Sequence, residues 1–381
     1  MLIASLLWYR KLRKDLEGEK FVFNPYDACV ANRTYRGKQQ TVRFHVDDLL
    51  CSCEVPEAND KLLDWAQDKY GQLKPVTAKR GTRHEFLGMS LDFGREPGAL
   101  HVEQKGHIED MLVTWPEKDL KGNSPCPAGH DLFQRGAGGL LCEEKREIYH
   151  SVVAKGIFVA KRSRPDISPT IAVLSGRVRE PNKDDWRKCR RMLDYLKGSM
   201  EEHLVLRIDD GLNVINWFAD ASFAVHDDFK SHSGGVLTLS KDGGAVISLS
   251  TKQQLNARSS TEAELIAVDD VVTRIVWASH FLESQGFAPG VPTLAQDNKS
   301  AILLETKAME AVGKRSRHIN IRYFFIKDLV DRGVVKIEYC PTEVMLADFM
   351  TKPLVGEKFL VFRRKILGRR STDLRRGLLK A

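Results

Sequence analysis

Between residues 204 and 352 the hydrophobic pattern changes period in one fixed order, and that order limits the possible folds more than any other feature of the chain. Apolar runs of strand length fall at 214–218, 233–239 and 245–249. The last two flank the turn Lys241-Asp-Gly-Gly244, which predicts an antiparallel hairpin. A long helix is predicted over 260–285, where Leu265, Ile266, Val268, Val271, Val272, Ile275, Val276 and Phe281 cover a broad face. Strand 293–296, helices 299–309 and 319–332, strand 334–339 and helix 344–352 follow. Such a succession predicts an α/β (α+β) domain, a mixed sheet covered by helices.

That layout, three strands and then helix, strand, helix, helix, strand and helix, is the layout of the ribonuclease H fold. Four acidic residues fall at strand ends or helix starts within it: Asp220, Glu264, Asp297 and Asp348. Each has a structural reading as well as a catalytic one. Thr261 with Glu264 fits a capping box, Asp297 with Asn298 can cap the next helix, and Asp348 can complement a helix dipole. Asp220 ends an apolar strand where a sheet would present a site. Their order favours the catalytic reading, because in this layout all four converge at one end of the sheet. Clustered carboxylates bind hard divalent cations through oxygen. Two Mg²⁺ ions about 4 Å apart, or Mn²⁺ in their place, would activate a water and stabilise the leaving oxygen of an in-line displacement on phosphate.

Upstream, helix is expected over 1–18, strands over 20–23 and 28–33, helix over 59–70 and a strand over 85–92 whose Gly88 suggests a bend or a close backbone approach. Thr41-Val-Arg-Phe-His-Val46 and Leu49-Leu-Cys-Ser-Cys53 form a hairpin with Asp47 and Asp48 at its tip, which on its own reads as an ordinary turn. After a helix over 106–115, residues 116–141 are rich in Gly, Pro and Asp and read as a linker, followed by helices to residue 200. Seven cysteines, with no second pair or histidines at zinc-ligand spacing beside Cys51 and Cys53, point to a reducing compartment. The apolar opening residues are too few to span a membrane. Nine basic against two acidic residues beyond position 356 concentrate most of the net charge of +8 there. That stretch reads as a solvated tail or as an arm that grips phosphate through Arg363, Arg364, Lys365, Arg369 and Arg370.

Ser260-Thr-Glu-Ala-Glu-Leu265, Asp297-Asn-Lys-Ser-Ala301, Arg317-His-Ile-Asn-Ile-Arg-Tyr323 and Ala347-Asp-Phe-Met-Thr-Lys352 resemble the ribonuclease H domain of copia-type LTR retrotransposon Pol polyproteins. Phe86-Leu-Gly88 and Arg164-Pro-Asp-Ile167 resemble the thumb and connection of the same polyproteins, so the resemblance covers about residues 1–367. It implies a truncated reverse transcriptase (end of palm, thumb) over 1–115, a linker and helical connection over 116–200, a ribonuclease H-like domain over 201–355 and a basic tail over 356–381. It places the nuclease tetrad and its metal ligands on Asp220, Glu264, Asp297 and Asp348. Glu264 is preferred to Glu262 because it directly precedes the helix-core Leu265. His318 matches a typical position of no assigned role. The polymerase motif Tyr-x-Asp-Asp falls on His45-Val-Asp47-Asp48, with histidine in place of tyrosine. The segments that supply the third polymerase aspartate precede this motif in the family, and only some forty-four residues precede it here. DNA synthesis by this chain alone is therefore not expected.

The function so implied is an endoribonuclease of RNase H type, cutting RNA in RNA/DNA hybrids and reading the RNA through its 2′-hydroxyls. The alternative is a catalytically inactive, nucleic-acid-binding remnant of a retroelement. An integrase-like strand transferase shares the sheet but needs its glutamate after both aspartates, whereas Glu264 lies between Asp220 and Asp297. The expected partners are an RNA/DNA hybrid or other nucleic acid and a missing polymerase half, with no membrane. The expected location is a cytoplasmic particle or the nucleus.

Overall fold

The computed structural model describes residues 2–208, 212, 215–306 and 317–370. Arg375, Arg376, Lys380, the end of the helix expected to reach Met309 and the side chain of His318 lie outside the described residues. The chain divides into two compact units, Met1–Leu87 with Trp277–Ala288, and Gly88–Val276 with Pro289–Ala381.

In the first unit, α1 (Leu2–Gly18) buries Leu12 and Leu16. They pack with Phe21, just before the sheet β1 (Val22–Asn24), β2 (Asp27–Tyr35), β3 (Lys38–His45) and β4 (Asp48–Cys53), with Ala31, Val42 and Phe44 of that sheet, and with Leu62 of α2 (Pro56–Tyr70). All neighbouring strands are antiparallel. Strand β5 (Arg83–Phe86) follows. His45 pairs with Asp48, so Val46 and Asp47 form a two-residue turn, and Val46 has φ 55°. A β-branched residue is strained there. The indole of Trp8 donates to the Val46 carbonyl at 2.6 Å and holds the turn.

The second unit opens with β6 (Met89–Asp92), β7 (Ala99–Glu103) and α3 (Lys105–Thr114). The strand expected over 85–92 is thus two strands, because Leu87 and Gly88 both have positive φ, 52° and 69°, and turn the chain. Helices α4 (Glu143–Arg162), α5 (Ser168–Ser175) and α6 (Lys183–Gly198) follow, then β8 (Leu204–Arg207), antiparallel to β7. Residues 116–141 contain no helix or long strand, as their composition implies, yet Leu120, Cys126, Leu132 and Phe133 are buried. The Asp194 carboxylate accepts the backbone N–H groups of Lys121, Gly122, Asn123 and Ser124 in succession. Burial works against its charge, but those donors hold its pKa below the usual carboxylate range.

The predicted order of elements then follows: β9 (Asn216–Ser222), β10 (His232–Thr238), β11 (Ile247–Lys252), α7 (Ser260–Ser284), β12 (Thr293–Gln296), α8 (Lys299–Thr306), α9 (Arg317–Asp331), β13 (Lys336–Tyr339) and α10 (Asp348–Thr351). Sheet order is β11-β10-β9-β12-β13. Strand β10 is antiparallel to both its neighbours, and β12 is parallel to β9 and β13. This is the mixed sheet of the ribonuclease H fold.

Two adjacent glycines on β10 set the spacing of its cover. A Cβ on Gly235 would lie 2.6 Å from Val271 of α7, and one on Gly234 would lie 2.6 Å from Thr351 and 2.9 Å from the Ala347 carbonyl at α10. Neighbouring strand residues face opposite sides, so the bare pair lets a helix approach closely on each face. The basic stretch begins as one more helix, α11 (Gly356–Ile366), which buries Phe359, Phe362 and Ile366. These share one core with α3, α4, α5 and α6 residues such as Met111, Val152, Ile171 and Met192, and with Val236 of β10. Within that core the Trp115 and Trp186 rings stack at 3.9 Å. Among the described residues no helix is long and apolar enough to cross a membrane.

Candidate catalytic site

The C-terminal half of β9, the start of α7 and the end of β12 bring three carboxylates together. Asp220, Glu264 and Asp297 each offer an oxygen, and these oxygens lie within 4.8 Å of one another. Asp220 is 2% exposed and Glu264 6%, while Asp297 is half-buried at the open side.

Local structure decides which acidic residues are available. The Ser259 hydroxyl accepts from the Glu262 backbone N–H, and the Glu262 carboxylate accepts from the Arg258 N–H. Glu262 therefore caps α7, not Glu264, and the Thr261–Glu264 capping box is not formed. The two positions are two residues apart, about 200° around a helix of 3.6 residues per turn, so Glu264 faces inward beside Leu265. Asn298 caps α8, its side-chain oxygen accepting from Ser300 and Ala301, which leaves Asp297 to the cluster. The Gln296 amide, fully buried, accepts from the N–H groups of Asp297 and Asn298 and donates to Glu264 at 3.4 Å. Thr342 donates to Asp297 at 2.9 Å.

Asp348, 1% exposed, lies at the start of α10 but outside the three-carboxylate group. One of its oxygens is paired with Lys352 Nζ and the other with Lys358 Nζ at 3.2 Å. Lys352 also approaches Asp220 to 3.5 Å, and the Thr351 hydroxyl donates to the same Asp220 oxygen. The helix expected over 344–352 shrinks to α10 because the preceding chain closes i to i−3 bonds, from Val344 to Pro341 and from Asp348 to Met345.

Crowding acids out of water disfavours their charge. Burial first, and then the neighbours Asp220 and Asp297, push Glu264 up to about 9. Asp220 is also raised, by burial above all, with Lys352 opposing and Asp348 adding to the shift. For Lys352 burial works against the charge, but Asp220 and Asp348 hold its pKa above the usual value. An all-oxygen donor set whose members repel one another fits a hard divalent cation, which would relieve that repulsion.

The other expected site residues stand apart. Asp47 and Asp48 are exposed on their hairpin, and among the described residues no third acidic group joins them. Of the five cations assigned to an arm, Arg363 and Arg369 pair with Glu202 at 3.3 and 3.7 Å and Arg370 pairs with Glu96 at 3.0 Å. Arg364 and Lys365 make no ion pair among the described residues. Sequence reasoning missed Gln296, Thr351, Lys352 and Lys358. Only Lys352 left a signal, its i+4 spacing from Asp348.

No protein-family model matches the chain. The chain is 28% identical over 93% of its length to the retrovirus-related Pol polyprotein from transposon TNT 1-94 of Nicotiana tabacum. It is 29% identical over 95% of its length to that from transposon RE2 of Arabidopsis thaliana. It spans about a quarter of these relatives, 26% and 24% respectively. The copia-type resemblance read from the motifs thus extends along nearly the whole chain. Among solved structures, LC11-RNase H1 isolated from compost overlays 36% of this chain and 92% of its own, with a TM-score of 0.29 at 13% identity.

Proposed function

We propose, on the premise that the chain corresponds to a segment of a copia-type Pol polyprotein, that its second unit is a divalent-cation-dependent ribonuclease H that hydrolyses RNA in RNA/DNA hybrids. The observation that carries this reading is the convergence of oxygens of Asp220, Glu264 and Asp297 within 4.8 Å, from β9, α7 and the end of β12. These three would hold the cation, Mg²⁺ by preference. When bound, such an ion supplies an activated water and neutralises charge developing on phosphate.

The chain's own residues supply the geometry. Gln296 fixes the backbone at Asp297 and reaches Glu264, so the two acids share one support. Thr351 orients one oxygen of Asp220, and Thr342 orients one of Asp297. Arg364 and Lys365 are the members of the basic stretch best placed to meet a phosphate, since the described residues leave their charges unpaired. The first unit is proposed to contribute no polymerisation by itself, because Asp47 and Asp48 sit exposed at a hairpin tip and no third acid joins them among the described residues. The setting proposed is a cytoplasmic particle or the nucleus, where hybrids of this kind would be met.

The test is cleavage of a labelled RNA/DNA hybrid by the purified chain in Mg²⁺, beside Asp297→Asn and a duplex DNA control. Hybrid-specific cutting that disappears in the variant supports the nuclease. Retained binding without cutting would instead support an inactive, nucleic-acid-binding remnant, a reading favoured by the clasp of two lysines on Asp348.

A further inference from the structure

We infer that Lys352 supplies, from within the chain, the positive charge that a second divalent cation would supply between Asp220 and Asp348. On this inference the cluster takes a single divalent cation, at Asp220, Glu264 and Asp297. The inference rests on the nuclease reading only for its choice of ligand.

Three observations carry it. Both oxygens of Asp348 are engaged by ammonium groups, and the side chain is 1% exposed, so no face of it remains for a metal ion. Lys352 Nζ sits between two carboxylates, paired with Asp348 and 3.5 Å from Asp220, which is where an ion bridging that pair would lie. The oxygen of Asp220 on that side is further occupied by the Thr351 hydroxyl. The other acids are differently supplied: Glu264 meets a neutral amide and Asp297 a hydroxyl, and neither has an ion pair among the described residues.

The clasp is built into the fold. Lys352 lies one helical turn beyond Asp348, and α10 is seated by the close approach over Gly234. Lys358 comes from α11, which Phe359, Phe362 and Ile366 fasten to the core. A divalent ion entering between Asp220 and Asp348 would meet a like charge at contact distance, a repulsion too large at intermediate dielectric to coexist with tight binding. Lys352 is thus a positioning residue. It holds Asp348 and Asp220 in place and limits the number of ions.

The experiment is isothermal titration of the full chain with Mg²⁺, repeated with Mn²⁺, without substrate. The unmodified chain should bind one ion. Asp348→Asn should leave that stoichiometry unchanged and weaken binding by about ten- to a hundredfold at most, the size of an outer-sphere change. Asp297→Asn should weaken binding by about a hundredfold or more, as loss of a ligand does. Lys352→Met should admit a second ion, and Lys352→Arg, which keeps the charge, should not. Should Lys352→Met melt early by circular dichroism, Asp348→Asn decides the matter in its place. Two ions bound by the unmodified chain, one of them lost in Asp348→Asn, would overturn the inference, and so would no binding at all. Hybrid cleavage measured in parallel separates the two claims. One bound ion without cleavage sinks the nuclease and leaves the clasp standing, whereas cleavage with two bound ions does the reverse.

Discussion

Two groups of acidic residues singled out by the sequence, Asp47 with Asp48 and Asp220 with Glu264 and Asp297, fare differently in the fold, and only the second gathers three carboxylates. Asp47 and Asp48 are neighbours in sequence on a single hairpin, and both face water. Asp220, Glu264 and Asp297 are separated by forty-four and thirty-three positions, yet their oxygens meet within 4.8 Å. Adjacent carboxylates at a hairpin tip reach into solvent and stay hydrated. Carboxylates delivered by separate elements can be forced to one point and stripped of water, and that stored repulsion is what a cation would release. Closeness in sequence thus gathers no cluster here, whereas convergence in topology does.

The sharpest way to break this contrast is a titration of Mg²⁺ against two variants. Glu264→Gln should lower affinity by about a hundredfold or more, while the double change Asp47→Asn with Asp48→Asn should leave it unaltered. A similar loss in both would mean the hairpin is a second site. The next effect is on stability in chelator. An acid whose folded pKa is raised from 4.5 to about 9 costs nothing below pH 4.5, and its cost grows as pH rises toward 9. Glu264→Gln should therefore melt above the unmodified chain at pH 8.5, by an amount equivalent to a few kcal/mol, and should match it near pH 4.5. Equal melting at both pH values would mean that the carboxyl is not desolvated.

A smaller difference separates two glycines. Gly234→Ala must push α10 away from β10 and should cost about 1–3 kcal/mol, with weaker cation binding. Gly37→Ala, where φ is 76° and a Cβ would meet open space, should cost about 1 kcal/mol through backbone strain alone and leave binding untouched. Denaturant titration measures both. The smallest effect is expected at Glu262→Gln, about 0.5–1 kcal/mol from a weakened cap, with Mg²⁺ affinity unchanged. Loss of cation binding in that variant would reverse the assignment of Glu262 and Glu264.

The order of elements in the second unit was legible in the sequence because strand and helix periods differ and turn residues such as Lys241-Asp-Gly-Gly244 mark the changes. Three of the four acids could be placed for the same reason. What the sequence concealed depends on contacts between distant segments. The amphipathic face of α11 is masked by its lysines and arginines, so Phe359, Phe362 and Ile366 pass as scattered residues of a basic stretch. Lys358 meets Asp348 only after α11 has docked, and Gln296 looks like any polar residue at the end of a strand. The split between β5 and β6 needed positive φ at Leu87, a residue type that gives no warning of it.

The hold of Asp194 on four consecutive amides changes what residues 116–141 are mechanically. A stretch so rich in glycine and proline suggests slack, the first place to stretch under load or to admit a protease. Here Gly122 is pressed against Gly198 of α6, with its φ of 75° open to few other residues, and the carboxylate one helical turn away grips the chain on either side of it. Residues 121–124 are thus fastened to α6 and not slack, so a pull on them loads the helix, whereas residues 137–140, farther along the same stretch, stay exposed.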